Sequence, residues 1–210
     1  EAGFADVLET AAADGANVLE IAPAVDPIPF PGHETDLDPH VWFDPGRVVL
    51  AATLIADRLA EADDSVDWEA RADAYAQTVA ATWNEMEGIL ATVPTDSRKL
   101  VTNHESLGYF ADTFGFEVVG VVISGGSTLD EPSSAELADL VATIESLGVT
   151  AIFAETSDST ALAEAVAEEV GEEVAVVELY TESLGEPGSD AETLIGMLLT
   201  NSRRIADALG

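Results

Sequence analysis

Residues 98–210 alternate strictly between strand-like and helix-like patterns, and few folds accept that order. Strand candidates lie at 100–103, 117–123, 149–154 and 174–179. Helical stretches fall between them near 106–114, 133–147 and 161–170, with a last one from about 190 to 209. The run Val118-Val119-Gly120-Val121-Val122-Ile123 is apolar on both faces, as a parallel strand covered from both sides must be. The helix opened by Pro132 repeats Leu137, Leu140, Val141, Ile144 and Leu147, and Gly148 stops it. This order predicts a four-stranded parallel sheet with helices, an α/β lobe.

Upstream, residues 67 to about 93 read as one long helix. Ala72, Tyr75, Val79, Trp83, Met86, Leu90 and Val93 recur at three- and four-residue steps, and Pro94 ends the run. A helix of that length is a rod of roughly 40 Å, suited to joining two lobes. Residues 1–66 then form a partial first lobe. A helix is expected over 4–13 and a short strand over 17–21. Pro23, Pro27, Pro29 and Pro31 predict an irregular segment reaching Pro39. Asp44 followed by Pro45 is a strong helix start, with Val48, Val49, Ala52, Ile55, Ala56 and Leu59 as the apolar stripe behind it. One strand and two helices cannot close a lobe unaided, so this stretch is expected to be part of a larger unit. The predicted division is therefore 1–66, a linking segment 67–97, and 98–210.

Charge narrows the partners. Seven Lys and Arg against 41 Asp and Glu leave a formal net charge of −34. Such a chain has no basic groove for nucleic-acid phosphates and no polybasic face for an anionic membrane. Asp112, Glu131, Glu136, Asp139, Glu164, Glu168, Glu169, Glu172 and Glu173 all fall on predicted solvent faces. Molar salt, with a Debye length of about 3 Å, would silence their mutual repulsion, so the chain reads as salt-adapted, of extreme-halophile type. Cysteine is absent, which removes disulfides and thiolate metal sites. No apolar run reaches the roughly 18–20 residues that span a bilayer.

Ligands of open parallel sheets bind beyond the carboxyl ends of the strands. There the chain places His104-Glu105, Ser124-Gly125-Gly126-Ser127, Glu155 and Thr181-Glu182 in turn. An imidazole and several carboxylates with no basic residue among them suit a cation. His40 sits in a proline-framed loop beside Trp42 and Phe43, with Asp38 or Asp44 available to orient its ring. His33 reads as a solvated loop residue, and residues 124–127 as a turn without the spacing of a phosphate loop.

Asp38-Pro39-His40-Val41-Trp42-Phe43-Asp44-Pro45 resembles the D-P-H-x-W-x-D-P signature of the zinc/manganese substrate-binding proteins of ABC transporters. Thr102-Asn103-His104-Glu105-Ser106-Leu107-Gly108-Tyr109-Phe110 is similar to that family's second-lobe histidine segment. Glu131-Pro132-Ser133 and Ile152-Phe153-Ala154-Glu155 also have counterparts, and Leu179-Tyr180-Thr181-Glu182-Ser183-Leu184-Gly185 looks like the segment with an acidic ligand. The resemblance implies two α/β lobes joined by a long backbone helix, with one metal ion held in the cleft. It implies His40, His104 and Glu182 as ligands. It also implies an extracytoplasmic receptor, cell-surface or periplasmic, that delivers its metal to an ABC permease. Such a receptor does not itself span the membrane, and any lipid anchor lies outside this chain. Two departures stand out. Glu182 occupies a place where the family usually has Asp, and the chain starts after the region of the family's early first-lobe ligand, so that it looks truncated there. His33 is the candidate substitute.

Imidazoles plus a carboxylate suit tetrahedral Zn(II), whereas Mn(II) prefers more oxygen, which a two-footed Glu182 would supply. Zinc is the expected cargo and manganese the second choice, with no enzymatic turnover required. The alternative from another class is a zinc-dependent hydrolase using the same His and Glu groups. A third is a surface protein that keeps the fold without the site.

Overall fold

The computed structural model describes residues 5–31, 33–123, 132–157, 159–171 and 174–210. The chain forms two compact units, Glu1–Ala81 and Thr82–Gly210. The first contains helix α1 (Ala5–Ala13), strands β1 (Pro29–Phe30) and β2 (His33–Leu37), helix α2 (Pro45–Ala62) and the opening turns of α3 (Trp68–Leu90). The division between the units falls inside α3, the long helix that the sequence predicts.

Two expectations for the first unit need correction. Residues 17–21 are not a strand and belong to neither sheet. An apolar run becomes a strand only where a second backbone takes its N–H and C=O groups, and no described strand lies beside this one. The proline-rich segment, expected to be irregular throughout, contains an antiparallel hairpin in which Pro29 pairs with Leu37 and Phe30 with His33. Proline is tolerated there because Pro29 opens a two-stranded ribbon whose outer side needs no donor. His33 is therefore a strand residue rather than a loop residue; its side chain lies outside the described residues.

Helix α2 starts as predicted. Pro45 is its first residue and the Asp44 carboxylate accepts the Arg47 N–H at 2.9 Å. Its apolar stripe is only partly covered: Val48 and Ala56 are buried, but Ile55 and Leu59 are exposed, as are Val7 and Leu8 of α1.

The second unit adds β3 (Lys99–Thr102), α4 (Gly108–Phe114), β4 (Glu117–Val121), α5 (Ser134–Leu147), β5 (Ala151–Glu155), α6 (Ala161–Val170), β6 (Ala175–Leu179) and α7 (Leu194–Leu209). All four strands are parallel, in the order β4-β3-β5-β6. Every residue of the inner strand β5 is buried, which accounts for its apolar sequence. Val101, Val122, Ile144, Ile152 and Val166 form the core between sheet and helices. Helix α5 opens on a reciprocal cap in which Ser133 and Glu136 satisfy each other's backbone N–H groups. Gly148, at φ 62°, ends it in the left-handed conformation that other residues resist. Helices α4 and α7 begin later than the sequence suggests. Ser106 N–H turns back to the His104 carbonyl, and Thr193 caps Gly196 N–H. The turn at 124–127 and Phe4, Glu131, Glu172 and Glu173 lie outside the described residues.

From β3 the chain adds β4 on one side and β5 on the other. The direction of winding thus reverses between β3 and β5, which opens a crevice at their carboxyl ends.

Candidate metal centre

That crevice is where His104 and Glu155 meet. Strand β3 ends at Thr102, and His104 follows with its carbonyl pinned by the Thr102 hydroxyl at 2.7 Å and by Ser106 N–H at 2.8 Å. Asn103 N–H continues the ladder to Phe153 O at 2.9 Å. The imidazole is therefore delivered by a backbone held by three hydrogen bonds. Both His104 and Glu155 are 2 % exposed, and Glu155 Oε1 contacts His104 Nδ1 directly. Burying either group alone would be costly, and each is tolerable because the other faces it.

The neighbours set the proton affinity of His104. Burial pulls its pKa down, but the hydrogen bond and charge of Glu155, helped by Glu182 and Glu105, outweigh burial and hold it above the ordinary 6.5. With Nδ1 committed to Glu155, Nε2 is the nitrogen presented to an ion. It lies 3.4 Å from Glu182 Oε1. Two ligands each about 2.0–2.2 Å from a zinc ion, at a tetrahedral angle, stand about 3.4 Å apart. The His104–Glu182 spacing therefore fits a shared tetrahedral ion.

In the first unit His40 shows the same arrangement. Its ring Nδ1 lies 2.6 Å from Asp38 Oδ1, and the same oxygen accepts the His40 backbone N–H at 2.9 Å. Asp38 and His40 are 1 % and 3 % exposed. The rings of Phe30 and Trp42 meet the imidazole edge-on at 6.3 and 5.4 Å, which fixes its plane. Of the two acids flanking His40, Asp38 is the one that orients it. Asp44 caps α2 and pairs with Arg47 at 2.5 Å instead.

The structure thus brings His104 and Glu182 together and gives both His40 and His104 a buried carboxylate on Nδ1. The sequence marks Glu155 as an acid on the rim but not as the partner of His104. The signal for that pairing is the adjacency of β3 and β5, which composition does not carry.

Comparison with known proteins gives a concordant result. The family described as "Zinc-uptake complex component A periplasmic" matches residues 1–208. The manganese-binding lipoprotein MntA of Halalkalibacterium halodurans is 30 % identical over 188 residues, 88 % of this chain and 61 % of the relative. The zinc-binding protein TroA of Treponema pallidum is 31 % identical over 182 residues, 84 % of this chain and 58 % of the relative. The chain therefore spans about 60 % of the length of these curated relatives. Among solved structures, the periplasmic zinc-binding protein TroA superposes with a TM-score of 0.91 at 26 % identity, covering 100 % of this chain and 77 % of that one. A ZnuA deletion mutant with zinc bound gives 0.82 at 30 % identity, covering 100 % and 75 %. From the match over 208 residues, this chain belongs to the family of zinc-uptake complex component A, periplasmic.

Proposed function

We propose that this chain is the metal-capturing part of an extracytoplasmic receptor that binds Zn(II), or Mn(II), and hands it to an ABC-type permease. His40, His104 and Glu182 are the ligands in this reading, with residues 1–66 and 98–210 as the two lobes and 67–97 as the segment joining them. The observation that carries the proposal is the twofold use of one device. His40 and His104 are both buried, and a buried carboxylate on Nδ1 leaves Nε2 of each as the donor. Orienting carboxylates of this kind fix the tautomer and raise ligand basicity. The names of the relatives support both metals, and an N/O set with two imidazoles favours zinc.

Capture follows from these groups alone. Binding needs neutral imidazoles, so the ion displaces the proton that His104 holds. Glu182, whose side chain is 27 % exposed, supplies the solvent-facing oxygen. The hydrolytic alternative gains no support from the family or the quoted relatives, whose names are those of uptake and binding proteins.

The test is elemental analysis combined with chelator competition in molar salt, on the wild type and on His40→Ala, His104→Ala and Glu182→Ala. Near one equivalent of metal is expected in the wild type, with a large loss in each variant. Unchanged metal content in His104→Ala would refute the ligand set.

A further inference from the structure

Glu182 is held differently from His104. It lies three residues beyond the end of β6, and β6 is the edge of the sheet, so among the described residues no strand lies outside it to fix the chain that follows. The peptide of Tyr180 nevertheless has partners. Asn201 of α7 accepts the Tyr180 N–H through Oδ1 at 3.0 Å and donates from Nδ2 to the Tyr180 carbonyl at 2.7 Å. A neighbouring antiparallel strand would take the same two groups from one residue. Asn201 therefore does at one position what a fifth strand would do. It is 2 % exposed, so an amide here would be costly without those bonds. Arg204, one turn on, reinforces the grip: it donates to Glu178 O at 2.7 Å and stacks over the Tyr180 ring at 4.9 Å.

On the far side of the segment, Thr156 N–H bonds Leu179 O at 3.0 Å, and the Thr156 and Ser183 hydroxyls lie 3.3 Å apart. The stretch carrying Glu182 is thereby clamped between α7 and the loop after β5. We propose that Asn201 is a positioning residue for the metal site, acting through the Tyr180 peptide to hold the Glu182 carboxylate where it meets the ion bound by His104. This rests on the ligand role given to Glu182 above. Without the clamp, ordering the 180–183 segment would be charged against each binding event, and affinity would fall while stoichiometry stays the same.

The test is a double-mutant cycle read as Zn(II) affinity by chelator competition, with Asn201→Ala, Glu182→Gln and the double variant in molar salt. Asn201→Ala is expected to weaken binding about tenfold, the lower end of what partners behind a ligand contribute. In the Glu182→Gln background the same change should have almost no further effect, because the group it positions is gone. Asn201→Gln stays neutral and keeps both amide groups, displaced by one methylene, so it should fall between wild type and Asn201→Ala, which secures the test if the alanine variant does not fold. Three results would overturn the proposal. Equal losses from Asn201→Ala in both backgrounds would make its role purely structural. Full affinity in both Asn201 variants, with Glu182→Gln impaired, would remove Asn201 and leave the ligand set standing. Full affinity in Glu182→Gln would remove both.

Discussion

Glu155, the last residue of β5, places its carboxylate on Nδ1 of His104, the residue two beyond the end of β3. Nothing in either segment alone creates that pair; the parallel register of β3 against β5, with Val101 opposite Ile152 and Thr102 opposite Phe153, does. The carboxylate orients the ring and makes Nε2 a stronger donor. Glu155→Gln keeps the shape and removes the charge, so Zn(II) affinity should drop about 10–100-fold while one ion is still bound at saturation. Chelator competition measures the drop, and elemental analysis at saturation checks the stoichiometry.

The two acids beside His40 should separate cleanly. Asp38 touches the ring and the backbone of His40, so Asp38→Asn is expected to weaken metal binding about tenfold. Asp44 caps α2 and pairs with Arg47. Asp44→Ala should therefore cost about 1 kcal/mol of stability through loss of the cap and leave metal affinity nearly intact. Melting curves and metal titrations of the two variants, run side by side, test the assignment. Reversed phenotypes would contradict it.

In the proposed site, proton and metal compete for His104. In the metal-free protein its pKa lies above the ordinary 6.5, because Glu155, Glu182 and Glu105 together outweigh the burial that would lower it. A histidine raised on folding stabilises the metal-free fold fully below its unfolded value. That contribution is lost as pH rises through the raised folded value. Metal affinity should climb across the same window, since the proton must leave first. In Glu155→Gln the window should move to lower pH. Titration of the His104 ring signals in metal-free protein, alongside affinity against pH, would show both shifts.

Much of the second unit is legible because burial on both faces writes itself into composition. Short runs such as Ala151-Ile152-Phe153-Ala154, set between helical stretches, read as covered parallel strands, and the four strands fall within a few residues of their predicted places. The proposed ligands His40 and His104 announce themselves as rare residues at loop positions. Glu155 does not, since its role depends on which strands become neighbours. Asn201 carries no signal either, because an amide in a helix looks like any surface polar residue until its burial is known. The failures in the first unit have a common cause. Whether Val18, Leu19 and Ile21 form a strand, or 29–37 a hairpin, is decided by the backbone available alongside, which no local pattern records.

Charge gives the last prediction. The acids that produce the net −34 include Glu136, Glu145, Glu164, Glu168 and Glu169, all exposed on the outward faces of α5 and α6. The chain has only seven cations to offset 41 acids, and several of these are already committed, such as Arg47 to Asp44 and Arg203 to Glu85. Self-repulsion of this surface is long-ranged in dilute buffer and confined to about 3 Å in molar salt. The melting temperature of the metal-free protein should therefore rise steeply with KCl and level off near molar concentrations. Replacing Glu145, Glu168 and Glu169 by Gln should raise it in dilute buffer and leave it almost unchanged at high salt. Thermal melts across a KCl series distinguish the cases: curves for the two proteins that stay parallel at every salt concentration would show that the acids act through local contacts rather than through the field of the whole surface.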